Sequence, residues 1–191
     1  MANKLQDKDT TKTTIFACLN TAGAGTLAGV TLPDRIDGKG QSLVLNGLGV
    51  RSKFFIDVYV GGLYLPQQQK DAQAILSDDT PYRMVMHFLY GVSQDQMCAA
   101  WAEGLEGNTP QASAEVKKAF ATLGNWMEAI PNGNELVLTY TYVPGLATTV
   151  EINGKAKGIL PGAAVADAIL ATWIGPDPGP GEEFKKAVLG E

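Results

Sequence analysis

"LNGLGVRSKFFIDVYVGGLYL", residues 45–65, is the stretch on which the fold turns. It is rich in Val, Ile, Phe, Tyr and Leu, is punctuated by glycine and holds a single arginine, a composition that reads as strand. Side chains along a strand point alternately to opposite faces. The even positions Phe54, Ile56, Val58 and Val60 are apolar, and the odd positions Arg51, Lys53, Phe55, Asp57 and Tyr59 are mixed. One face is therefore expected to pack and the other to carry polar groups among aromatics. As one straight strand, the eight steps of ~3.3 Å from Arg51 to Tyr59 put the two side chains on the same face but ~26 Å apart. A tight turn near Ser52-Lys53 would instead fold Arg51 back. The arginine poses a question of its own. A guanidinium does not discharge by losing its proton, so beneath a layer of helices it needs an anion or several acceptors in place of water. At a solvent-facing strand edge it would need neither.

Outward from this stretch, "PYRMVMHFLYG" (81–91) reads as a second strand with Tyr82, Met84, Met86, Phe88 and Tyr90 on one side, and "ELVLTYTYVPG" (135–145) as a third. In "TTVEINGKAKGIL", Asn153-Gly154 sits between two short strand-like runs, and both residues tolerate the positive φ of a two-residue hairpin loop, so 148–159 is expected to be a hairpin. Helices are expected at about 70–77, 93–106, 110–129, 162–174 and 182–189. The second opens with Ser93 and Gln96 as a capping box; the third has Thr109 as cap and Pro110 at its first position. Gly175-Pro176 ends the fourth, and "GPDPGPG" (175–181) reads as a turn-rich link. Strands, then consecutive helices, then strands, then helices do not alternate as a βαβ series would. The order predicts an α+β fold, an antiparallel sheet with helices gathered on one face.

At 191 residues the chain can bury a sizeable core as one domain. Its 15 Lys and Arg against 20 Asp and Glu give a net charge of −5, with no basic stripe to track phosphates, which argues against nucleic acid as a partner. The first residues imitate a secretory leader, but Asn20, Thr21 and the glycines interrupt the apolar segment and Asp7 and Asp9 lie among the lysines. The expectation is an N-terminal extension or degenerate leader over 1–28, followed by one domain over 29–191. No window reaches the ~18 apolar residues of a membrane span. Cys18 and Cys98 make no disulfide framework.

The chemical inventory is short. His87 is the only histidine, so a His-based metal site lacks partners at ligand spacing, and function there would need a named partner. No nucleophile elbow, zinc-protease helix or phosphate-binding glycine loop appears. Asp78-Asp79 and Glu182-Glu183 fall at turns or helix ends, where solvated charge explains them. No cofactor and no metal are expected. What remains is Arg51.

Taken together, "GVTLP", "LVLNGLGVRSKFFIDVYVGGLYLP", "MVMHFLYGVS", "WAEGLEGN", "VEINGKAKGILPG" and "ILATWIG" resemble the bacterial chalcone isomerase-like proteins, in order from about Gly29 to Gly190. The resemblance implies an open-faced β-sandwich, a large antiparallel sheet covered by a layer of helices with a ligand cleft between them. The superfamily includes plant enzymes that close a chalcone to a flavanone and plastid proteins that bind fatty acids. Both share the arginine matched by Arg51. It attracts the phenolate and developing enolate in the enzymes and faces a carboxylate in the binders. Tyr59 stands where the enzymes have threonine and the fatty-acid binders tyrosine. A tyrosine and an asparagine of the enzyme cleft fall on Gln94 and Trp101, and Thr172 matches a cleft threonine or serine.

The expectation is then a non-catalytic binder of a fatty acid or similar anionic amphiphile. Its cleft would be lined by Phe55, Tyr59, Trp101 and Trp173, with Arg51 as anchor and Gln94 and Thr172 among the ligand-binding positions. Two alternatives stand beside it. One is an isomerase or intramolecular lyase of an α,β-unsaturated carbonyl, with Arg51 on the enolate oxygen. The other is a vestigial cleft in which Arg51 pairs with a carboxylate of the chain itself, such as Asp57. The resemblance implies a periplasmic location; the residues themselves assign no compartment.

Overall fold

A computed structural model describes residues 24–38, 40–141 and 146–191. Of the expected extension over 1–28, residues 1–23 with Cys18 lie outside the described residues, while 24–27 form a strand; the end of the predicted third strand at 142–145 also lies outside them. The elements in chain order are β1 (Ala24–Leu27), β2 (Val30–Pro33), β3 (Arg35–Asp37), β4 (Ser42–Lys53), β5 (Ile56–Leu65), α1 (Ala72–Ser77), β6 (Tyr82–Phe88), α2 (Gln94–Asn108), α3 (Ala114–Trp126), β7 (Glu135–Thr141), β8 (Ala147–Ile152), β9 (Lys155–Pro161), α4 (Ala163–Ile174) and α5 (Glu182–Val188). Strands β3 to β9 form one seven-stranded antiparallel sheet in sequential order, and β1 and β2 make a separate hairpin. This is the α+β architecture the element order predicts.

Alternation along the strands sorts the core onto two faces. Leu63, Met84, Leu138 and Val150 point to the helical side, and Val60, Tyr64, Val85 and Val137 point to the other, where Val30 and Leu32 of the β1–β2 hairpin cover them. Helix α4 is the centre of the helical layer. Nine of its twelve residues are buried, because a helix apolar all round must be enclosed on every side.

The deciding stretch is a hairpin, two strands rather than one. Val50 faces Val60 and Arg51 faces Tyr59 across β4–β5, so the straight-strand geometry that would separate Arg51 from Tyr59 does not occur. The turn falls at Phe54-Phe55, two residues beyond Ser52-Lys53, with φ of 50° and 66°. The β8–β9 hairpin, placed as predicted, makes the equivalent loop from Asn153-Gly154 with φ of 50° and 72°. Left-handed backbone is ordinary for Asn-Gly and unfavourable for a bulky aromatic. The double substitution Phe54→Asn/Phe55→Gly is therefore expected to stabilise the protein by about 1 kcal/mol, less than the full strain because glycine also loosens the unfolded chain. A thermal melt reads this as a rise of roughly 2–4 °C; an unchanged or lower midpoint would show that the loop stores no strain.

Three smaller differences follow from local chemistry. The helix expected over 110–129 is α3 and begins at Ala114, because Ser113 is its cap and accepts from the Val116 N–H at 3.2 Å. Thr109 instead closes α2, donating its N–H to the Leu105 carbonyl. The capping box at the start of α2 is present as read, with Ser93 and Gln96 bonding reciprocally. Strand β6 ends at Phe88, leaving Tyr90 exposed beyond it.

Helix α5 lies directly on β4 and β5, and glycine makes that possible. A Cβ at Gly47 would meet the Ala187 carbonyl oxygen at 2.1 Å, and one at Gly61 would meet the Phe184 ring at 2.4 Å. With α5 seated there, the link 175–181 between α4 and α5 is held over the end of β4.

Candidate functional site

Between the β4–β5 hairpin, β6, α2 and the last turn of α4 lies a cavity of about 530 Å³. Its floor is Tyr59, Met86 and Phe88 from the sheet with Met97, Trp101 and Trp173 from the helices, all buried. Its mouth is set by Lys53, Phe54, Ile56, Tyr90 and Gln96. Arg51 stands on its wall. A smaller hollow of about 320 Å³ beside α1, lined by Gln41, Gln69 and Asp78 among others, has neither the aromatic floor nor the cation.

Arg51 is half-buried near the end of β4, and its guanidinium donates to the carbonyl of Gly179. That carbonyl is held in place. Asn108, at the end of α2, donates to the Asp177 carbonyl at 2.7 Å and accepts from the Asp177 N–H at 2.9 Å, while Gly179 donates its own N–H to the Thr172 carbonyl at 3.0 Å. Among the described residues no carboxylate forms an ion pair with Arg51. Asp57, the candidate internal counter-ion, accepts the Ser52 hydroxyl at 2.6 Å instead. A guanidinium offers five N–H donors, so one carbonyl leaves most of its capacity open.

Tyr59 is the cross-strand neighbour of Arg51 and lines the same cavity. Its ring is fixed edge-on to Phe184 at 5.7 Å and tilted against Phe88 at 5.5 Å. Its phenolic oxygen accepts from Trp173 Nε1 at 3.2 Å. Burial pushes its pKa up to about 12, against the opposing pull of the Arg51 charge and the Trp173 N–H. At neutral pH it is therefore a neutral hydroxyl, with an oxygen that already accepts and a proton free to donate.

The other sequence-predicted positions divide. Trp101 is buried on the floor, edge-on to Trp173 at 5.4 Å and to Phe120 at 6.2 Å. Thr172 reaches the cavity, but its hydroxyl donates to the Ile169 carbonyl of its own helix at 2.8 Å. Gln94 is exposed at the first residue of α2 and lies off the lining, and Phe55 projects from the hairpin tip into solvent. Their neighbours Gln96 and Phe54 take the places at the mouth. Met97 and the Gly179 carbonyl belong to the site without having been singled out in the sequence. Met97 was findable, since it sits four residues before Trp101 and so shares its helix face. A backbone carbonyl has no such signature.

Other candidates lie elsewhere. His87 pairs with Glu135 across β6–β7, Nδ1 to Oε1 at 3.2 Å, outside the cavity lining. Cys98 is a free thiol donating to the Gly124 carbonyl at 3.4 Å. Among the described residues no group of His, Cys, Asp and Glu could hold a metal ion, and no helix is long and apolar enough to cross a membrane.

A family model described as chalcone isomerase-like matches residues 24–190. Among solved structures, a fatty-acid binding protein of Arabidopsis thaliana aligns with a TM-score of 0.68 and 19% identity, covering 87% of this chain and 96% of that one. None of the curated proteins matches the sequence.

Proposed function

The chain belongs to the chalcone isomerase-like family, and from that premise we propose that it binds a fatty acid or similar anionic amphiphile, with Arg51 on the head group and the tail on the aromatic floor. The observation that carries this reading is the guanidinium of the half-buried Arg51, on the cavity wall without a carboxylate partner among the described residues, set beside a phenol whose proton has no acceptor there. A carboxylate would satisfy both. It would take the planar fork of Arg51 and one short hydrogen bond from Tyr59, and charge-assisted bonds of this kind are the stronger ones. The floor is Met, Phe and Trp, apolar and sized within the ordinary range for small-molecule pockets. A fatty-acid binding protein among the structural neighbours supports the ligand class.

The same two donors would hold an enolate oxygen, which keeps chalcone isomerase-type chemistry as a second reading. It ranks second because the hydroxyl of Thr172 is committed to Ile169. Titration with hexadecanoate and with its methyl ester tests the binding reading. The acid is expected to bind at least tenfold more tightly, and equal affinities would overturn the anchor. Turnover of a chalcone with no preference for the acid would favour the enzyme.

The pH dependence follows from which partner titrates. Tyr59, raised to about 12, stays protonated through the accessible range. The ligand carboxyl is the group that changes, near pH 4–5 for an ordinary carboxylic acid, about. Binding holds its pKa down, so the charge contribution is complete above that range and lost as pH falls through it. Affinity for hexadecanoate is expected to be flat from pH 6 to 9, roughly, and to weaken in acid. A loss of affinity on the alkaline side would mean that some other group carries the interaction.

A further inference from the structure

We infer that the tip of the β4–β5 hairpin is a docking device for a phospholipid bilayer, inserting Phe54 and Phe55 into the lipid interface with the cavity mouth against the membrane. Phe54 is 84% exposed and Phe55 fully so, and Ile56 and Tyr90 are exposed beside them. These four make up most of the large apolar side chains left in solvent among the described residues. Phe54, Ile56 and Tyr90 also line the cavity mouth, so the exposed patch runs into the ligand opening.

The backbone adds a second, independent observation. Both phenylalanines sit at positive φ in a loop where the β8–β9 hairpin uses Asn-Gly. Strained residues persist where something other than local stability holds them. Phe55, wholly in solvent, repays its strain with no burial in the protein.

Shape and charge select the occupant. Two aromatic rings offer on the order of 300–500 Å², short of the roughly 800 Å² per partner of a stable protein interface. A convex wedge finds no complementary surface requirement in a lipid interface, where aromatic side chains are at home. Lys53, whose Nζ lies 5.9 Å from the centre of the Phe54 ring, can keep its charge among the head groups while its stem follows the ring inward. The Asp57 carboxylate accepts from Ser52, and the chain as a whole carries −5, so the attraction comes from the rings and not from an anionic surface. Zwitterionic lipid is the predicted partner. The purpose of docking, access to an amphiphile, rests on the binding function proposed above; the docking geometry does not.

Flotation of the full chain with phosphatidylcholine vesicles tests the inference, using Phe55→Gly as the variant because glycine suits the positive φ and Phe55 is outside the cavity lining. Wild type is expected to float with the vesicles. Phe55→Gly is expected to lose at least fivefold of the bound fraction while its affinity for hexadecanoate in vesicle-free buffer stays within twofold. Wild type that does not float, or a variant that floats equally, overturns the docking role, whatever the hexadecanoate titration shows. Floating by a wild type that ignores hexadecanoate upholds docking and rejects the proposed ligand. Sedimentation velocity without lipid covers the remaining case: self-association that Phe55→Gly abolishes, with no flotation, would make the tip a contact between copies of this chain and refute the lipid partner.

Discussion

Arg51→Ala is expected to weaken hexadecanoate binding about 30-fold, equivalent to about 2 kcal/mol, and to leave the affinity of the methyl ester within twofold. The size follows from the setting. Removing one member of a fully buried charged pair costs about 2–5 kcal/mol; Arg51 is only half-buried, so solvent screens part of the attraction and the lower end applies. The ester separates the head-group interaction from everything else the substitution changes, since it keeps the tail and loses the charge. Arg51→Lys is expected to fall between, because an ammonium keeps the charge but cannot present two parallel donors to a carboxylate. Isothermal titration of the three proteins against both ligands measures this. Equal loss for acid and ester would assign Arg51 to holding the 175–181 link through Gly179 and not to the ligand.

Gly47→Ala is expected to be the most destabilising single methyl among the described glycines. The added carbon would sit 2.1 Å from the Ala187 carbonyl oxygen and 2.8 Å from that of Val188, both backbone atoms of α5 and its end. No rotamer relieves that; the helix must lift. The adjacent Asn46, which is buried, would then lose its 2.8 Å bond to the Val188 carbonyl. Overpacking of about 1–3 kcal/mol and a broken buried hydrogen bond of about 1 kcal/mol give roughly 3 kcal/mol in all, or a melting point lower by about 6–12 °C. Lifting α5 also releases the Phe184 edge from Tyr59 and loosens the link that carries Gly179, so ligand affinity should fall with stability. Gly91→Ala is the control, because the nearest atom to its Cβ is 3.8 Å away. It should change stability by less than about 0.5 kcal/mol. A Gly47→Ala protein as stable as this control would mean that α5 does not bear on β4 as described.

The contrast between the two hairpins shows what could be read from the chain. Asn153-Gly154 announces its turn because both residue types accept positive φ, and β8–β9 lies where they put it. Phe54-Phe55 adopts nearly the same backbone without any turn-forming residue, so the stretch 45–65 left one straight strand and a turn near Ser52-Lys53 both open. Everything about the site depended on that turn, since only the fold-back sets Arg51 opposite Tyr59. Gln94 illustrates a finer loss. It lies seven residues before Trp101, within about 20° of it around α2, yet stands exposed at the first residue of the helix and off the cavity lining, so an alignment that finds the right face can still run past the end of the site. Gly47, Gly49 and Gly61 read as punctuation in a strand; their role is to admit a helix from the far end of the chain, a long-range fact that no local window holds. Arg51, Tyr59, Trp101 and Thr172 came from family resemblance joined to the chemistry of a sheltered cation, and the structure brings all four to one cavity.

The central claim is that Arg51 receives the anionic head of an amphiphile inside this cavity, and a crystal structure with hexadecanoate addresses it most directly. One carboxylate oxygen is expected within about 3.2 Å of the Arg51 guanidinium and the other within reach of the Tyr59 hydroxyl, with the tail running over Trp101, Trp173 and Phe88. A carboxylate left in solvent at the mouth beside Lys53, with the guanidinium still bonded to Gly179 alone, would contradict it.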